Sequence, residues 1–160
     1  MGYGLCRDHR SLYVTPHVPS FCLASIKERV RAVKERGLGV FKHACGNNWQ
    51  LLEMFVEAGY DAYQSIQTSG SMDLARVKAY VGDAMVLWGG VQVEHLVSGT
   101  PADVRDNVRK AMQQGAPGGG YIFGTTHSVA VGTKYDNFMA MMDAYHHWAT
   151  RAAAFMIPPK

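Results

Sequence analysis

The chain has 160 residues, 48% of them hydrophobic and 18% charged, the balance of a soluble globular protein long enough to bury one core. Its net charge of +3 is scattered through helix-like segments, with no basic run or basic–aromatic stripe, which argues against a nucleic-acid partner. No apolar run of about 18 residues is present to cross a membrane, and Cys6, Cys22 and Cys45 are too few and too unpatterned for a disulfide scaffold.

The opening "MGYGLCRDHRSLY" lacks the apolar core of a signal peptide, so a cytoplasmic location is expected. Across residues 20–36, Cys22, Ile26, Val30 and Val33 recur at helical spacing opposite a charged face. That spacing places Cys22 in the core, and Gly37 stops the helix. "LGVFKHA" is short, apolar and β-prone, a strand. "NNWQLLEMFVEAG" is a helix with Asn47 or Asn48 as cap, an apolar face of Leu51, Leu52, Phe55 and Val56, and Gly59 as stop.

The same alternation then repeats. "DAYQSIQ" is a strand, and "SMDLARVKAYVG" a helix capped by Ser71. "AMVLWGGV" is the next strand. "TPADVRDNVRKAMQQG" is a helix with Thr100 as cap, Pro101 at its first position, and Val104, Val108 and Met112 facing inward. "GGYIFGT" is the last strand, and a final helix runs from about Tyr135 to Phe155. Strands alternating with helices in this way imply an α/β fold with a parallel sheet. One domain spans residues 1–157, followed by a short tail at 158–160.

The strand ends carry the chemistry. His43 and Cys45 follow "VFK", Gln64 and Gln67 lie in or after the second strand, Trp88 opens "WGG" in the third, and His127 lies in "TTHS" after the fourth. Ligands of parallel α/β folds collect at the carboxyl ends of strands, so these residues converge on one mouth. Gln64, Gln67 and Trp88 are the candidate substrate-pocket residues. Imidazole and thiolate are both good zinc ligands, and a catalytic zinc keeps one position open. His43-x-Cys45 therefore reads either as half of a metal site or as a corner histidine beside a structural thiol. His127 is the candidate third ligand.

Elsewhere the plainer reading holds. His146 and His147 are adjacent in a helix and suit the surface, His9 and His17 lie in an irregular N-terminal segment, and His95 in a loop. "APGGGYIFG" places its glycines before a strand, an entry turn rather than a phosphate loop. "NFMAMMDAY" is core packing.

In this order the segments resemble the C-terminal part of the uroporphyrinogen decarboxylase superfamily. The carriers are "KHACGNNWQLLEMFVEAGYDAYQSIQ", "MDLARVKAYVGDAMVLWGGV", "SGTPADVRDNVRKAM" and "APGGGYIFGTTHS". The resemblance implies the C-terminal half of a (β/α)8 TIM barrel, about four parallel strands alternating with helices, with its site at the strand carboxyl ends. It also implies a partner for the open half, either a second copy or a missing N-terminal half.

Two chemistries are implied. The zinc- and corrinoid-dependent methyltransferases of the superfamily carry H-x-C at one strand end and a cysteine at the last. His43 and Cys45 match the first part, while His127 stands near where the cysteine is expected. That reading implies a Zn2+ site, a small-molecule thiol and a corrinoid protein. The decarboxylases act on a tetrapyrrole without metal, and His127 falls where they carry a catalytic-site histidine. A third possibility is a non-catalytic half-barrel that binds a partner.

Overall fold

The computed structural model describes the backbone of residues 17–156 and the side chains of residues 22–150. Its four strands are β1 (Phe41–Ala44), β2 (Ala62–Ser65), β3 (Val86–Val91) and β4 (Tyr121–Thr125). They lie in the order β1-β2-β3-β4, and each pair is parallel. Parallel neighbours need a crossover between them, and helices supply it. These are α1 (His17–Lys34), α2 (Leu52–Ala58), α3 (Leu74–Val81), α4 (Val93–Ser98), α5 (Pro101–Gly115) and α6 (Tyr135–Met156). The architecture is α/β and matches part of a TIM barrel, as the resemblance implies.

The helices cover one face of the sheet. Tyr63, Leu87 and Val91 point into that layer and are fully buried with Leu52, Phe55, Leu74, Val77, Val104 and Val108. The opposite face is open. Register aligns His43, Gln64, Trp88 and Ile122 in one row on it, and Phe41 and Ile122 are 54% and 46% exposed. Trp88 packs edge-on against Phe41 with ring centroids 5.3 Å apart. Among the described residues, β1 and β4 each pair on one side only.

Local chemistry sets the boundaries. Thr100 and Asp103 form a reciprocal capping box with Pro101 in the first turn of α5. Gly59 ends α2 in the left-handed conformation at φ 84°, and Gly118, Gly119 and Gly120, all at positive φ, make the turn before β4. Among the described residues no helix is long and apolar enough to cross a membrane.

Several expectations are corrected. Cys22 is exposed rather than core, because α1 meets the body near Val30, which is buried, and Cys22 lies about two turns upstream of that contact. Ser71 does not cap α3: it sits at φ 66° closing a short turn, and Asp73 is the cap, accepting from the Arg76 amide at 2.8 Å. Of the two candidate caps, Asn47 accepts from the Trp49 amide at 3.2 Å, whereas Asn48, which precedes a single 3-10 turn (Trp49–Leu51), makes no side-chain cap. His95 lies in α4, an element that periodicity missed because it has only six residues, and His17 opens α1. Cys6, His9 and the tail at 158–160 lie outside the described residues.

Two predictions test this arrangement. Gly89 adopts φ +128°, and a Cβ there would stand 2.3 Å from the Ser65 carbonyl oxygen. Gly89→Ala should cost more than about 1 kcal/mol, read as a fall in the urea midpoint; an unchanged midpoint would contradict the β2–β3 register. Asp61 pairs with Lys34 at 2.6 Å and accepts from the Val40 amide at 2.8 Å, tying α1 to the start of the sheet. The Lys34 hydrogen bond, then the Val40 amide, hold its carboxyl below the ordinary 3.8, against the opposing effect of burial. The stability it contributes is therefore present above pH 3.8 and lost as pH falls through the lower folded value. Asp61→Asn should flatten that acid limb in melts recorded against pH.

Candidate metal centre

The β1 exit is built around one buried side chain. Asn48, 5% exposed, directs its amide nitrogen at the carbonyls of Ala44 and Cys45 at 3.1 Å and of Gly46 at 3.2 Å, and at the Tyr63 hydroxyl at 3.1 Å. Gly46 supplies the positive φ that this curl requires. The chain bends around the amide and leaves His43 and Cys45 exposed at the mouth.

His127 arrives from β4. Buried Thr126 anchors the loop, its amide donating to Val91 O at 2.7 Å and its hydroxyl accepting from the Val93 amide at 3.3 Å. The Thr125 hydroxyl donates to the His127 carbonyl. The outcome is a cluster: one ligand atom each from His43, Cys45 and His127 lie within 4.8 Å of one another. Cys45 Sγ is 3.2 Å from His43 Nε2, and the two imidazole rings meet edge-on with centroids 5.5 Å apart.

Gln64 orients the cluster. Its amide nitrogen donates to Thr125 O at 3.3 Å, which leaves Oε1 to accept from His43 Nδ1. With the proton on Nδ1, the Nε2 lone pair faces Cys45, the tautomer that metal ligation requires. The Ser65 hydroxyl donates to Cys45 Sγ at 3.7 Å. Metal bonds of about 2.0–2.3 Å in a tetrahedron set ligand atoms about 3.5 Å apart, so the spacing here fits zinc with modest side-chain adjustment. Among the described residues no fourth His, Cys, Asp or Glu joins the group.

The other candidates occupy distinct places. Gln67 lies behind the cluster, accepting from the Gly46 amide at 2.9 Å. Trp88 shares the row of His43 and Gln64 and lies against Gly124, where a Cβ would come within 2.7 Å of its indole nitrogen. His146 and His147 are exposed on α6, away from the cluster. Glu94, which the sequence reading passed over, contacts Gln67 and Ser69 from α4. An acid three residues beyond a strand end was its available signal.

The family profile for uroporphyrinogen decarboxylase matches residues 17–148. Uroporphyrinogen decarboxylase of Methylococcus capsulatus is 30% identical over 140 residues, which cover 84% of this chain and 38% of that protein. The enzyme of Psychromonas ingrahamii is 31% identical over 100 residues, 62% of this chain and 27% of that one. A solved methyltransferase from Methanosarcina mazei is similar in fold, with a TM-score of 0.68 over 81% of this chain and 36% of its own, at 18% identity. The chain therefore spans well under half the length of these relatives.

The Gln64 contact makes a prediction that needs no metal. In nitrogen-15 histidine spectra His43 should be the Nδ1-protonated tautomer, and Gln64→Ala should shift it toward the Nε2-protonated form. An Nε2-protonated His43 in the unmodified chain would refute the orientation.

Proposed function

The chain belongs to the uroporphyrinogen decarboxylase family, and on that premise we propose that its intact barrel transfers a methyl group from a corrinoid to a thiol at a zinc centre. The observation that carries this reading is the convergence of His43, Cys45 and His127 within 4.8 Å. Zinc held there would supply Lewis acidity, keeping a substrate thiol as thiolate at neutral pH.

The chain's own residues prepare the position. Gln64 fixes the His43 tautomer, the Asn48 knot fixes the carbonyls around Cys45, and Trp88 with Phe41 offers an apolar wall on the same open face. The exposed mouth lets the thiol proton leave to solvent. A methyl-corrinoid bound at this open face would supply the methyl group, the thiolate sulfur gaining the carbon as the corrinoid keeps the electron pair of the broken bond. The remaining strands of the barrel, from a missing half or a second copy, would cover the open sheet face.

The names of the curated relatives favour a second reading, tetrapyrrole decarboxylation. His127 would then contact the substrate, and Cys45 would be structural.

Metal analysis separates the two. Purified under reducing, zinc-replete conditions, the chain should carry about one zinc per site, lost in His43→Ala and Cys45→Ser. His127→Ala should weaken zinc binding by well over about tenfold, since loss of a supporting residue alone costs that much. A metal-free protein under those conditions overturns the zinc reading.

A further inference from the structure

Behind the cluster, the exit of β2 is strained. Ser65 and Ile66 adopt φ 117° and 52° while both are fully buried. A β-branched residue at positive φ costs on the order of 1–3 kcal/mol and persists only where its surroundings hold it. Here the strain turns Gln67 back toward β1. Gln67 Oε1 accepts from the Gly46 amide at 2.9 Å, and its amide nitrogen donates to Ser69 Oγ at 2.9 Å and Glu94 Oε1 at 3.3 Å. The Ser69 hydroxyl donates to the same Glu94 oxygen at 2.9 Å.

The turn carrying Gln67 is pressed onto that corner. A Cβ on Gly70 would meet the Gly46 carbonyl carbon at 2.8 Å. Burial works to raise the Glu94 pKa, but hydrogen bonds from its own backbone amide, Ser69 and Gln67 outweigh it and hold the carboxyl below its ordinary value. An ionised carboxylate only accepts, so Glu94 takes the Gln67 amide nitrogen and leaves the amide oxygen for Gly46.

We propose that Glu94 is a positioning residue for Cys45, acting from the β3 exit through Gln67 on the Gly46 backbone. Its effect on metal affinity rests on the zinc reading above, whereas its effect on the Cys45 thiol does not. A side chain on α4 thereby sets the corner that presents a ligand from β1.

The test uses the full chain with Cys6→Ser and Cys22→Ser, so that Cys45 is the sole thiol. Three quantities are measured: the iodoacetamide alkylation rate of Cys45 without metal, zinc affinity by competition, and the urea midpoint. Gln67→Ala and Glu94→Ala should each raise the alkylation rate at least about threefold, and the double variant should match the singles because both cut one relay. Each should weaken zinc affinity by about tenfold. Glu94→Gln, which keeps an accepting oxygen, should stay near the parent in both readouts, a rescue that a merely structural role would not predict. Unchanged alkylation in Glu94→Ala, or additive effects in the double variant, overturns the proposal. If the parent binds no zinc, the metal reading falls and the alkylation series still decides the relay.

Discussion

The amide of Asn48 is the constraint on which the mouth of this sheet depends. Three successive carbonyls, of Ala44, Cys45 and Gly46, converge on one nitrogen, so β1 cannot continue as a strand and must turn. Tyr63 closes the knot from β2. Its hydroxyl receives the Asn48 amide and donates to Ala44 O at 3.2 Å, and burial raises its pKa, keeping the donor proton in place. Asn48 is itself buried, and a buried amide left without acceptors costs about 1–3 kcal/mol, which favours the corner that brings these carbonyls to it. The Asn48 backbone amide is spoken for as well, donating to Met72 Sδ at 3.3 Å.

The strand exits behind this knot are interlocked by close backbone approach. Gly89 lies against the Ser65 carbonyl, and Gly70 lies against Gly46. Neither contact admits a side chain. The strained Ser65–Ile66 segment carries one of these contacts, and Ile66, fully buried, is packed in the core. Strain kept at a strand end beside reactive side chains is a cost that packing elsewhere must offset. The reward is rigidity at the point where Ser65 and Gln67 reach Cys45 and Gly46.

The strands and their order were legible because short β-prone runs alternate with helices marked by strong punctuation. Thr100-Pro101 and Gly59 are signals that depend on one or two residues and on nothing distant. The convergence of His43, Cys45 and His127 was legible because all three residues stand at strand ends, and topology carries strand ends to one mouth. The sequence does not choose between Asn47 and Asn48 as cap, since either side chain suits the task and only the fold of the corner assigns Asn48 to the preceding carbonyls. Cys22 failed for a related reason: periodicity says which side of a helix is apolar, not how much of its length is covered. Glu94 was hidden because its partners, Gln67 and Ser69, lie 27 and 25 residues away and meet it only through an unusual turn.

The cluster also says something about curvature. His43 and Cys45 come from the exit of β1 and His127 from that of β4, the two edges of the sheet. Three strand spacings in a flat sheet separate those edges by about 14 Å, too far for Cys45, with its short side chain, to come within 4.8 Å of an imidazole from the other edge. The sheet must therefore curl, and contacts that skip a strand register the curl. Phe41 of β1 reaches Trp88 of β3, and Gln64 of β2 reaches the Thr125 carbonyl of β4. Gly124 permits it by leaving room for the indole. A barrel's curvature is thus present in four strands alone, and it is this curvature that gathers all three candidate ligands without a residue from any further strand. Among the described residues, what the open face with Phe41 and Ile122 lacks is cover for its apolar surface.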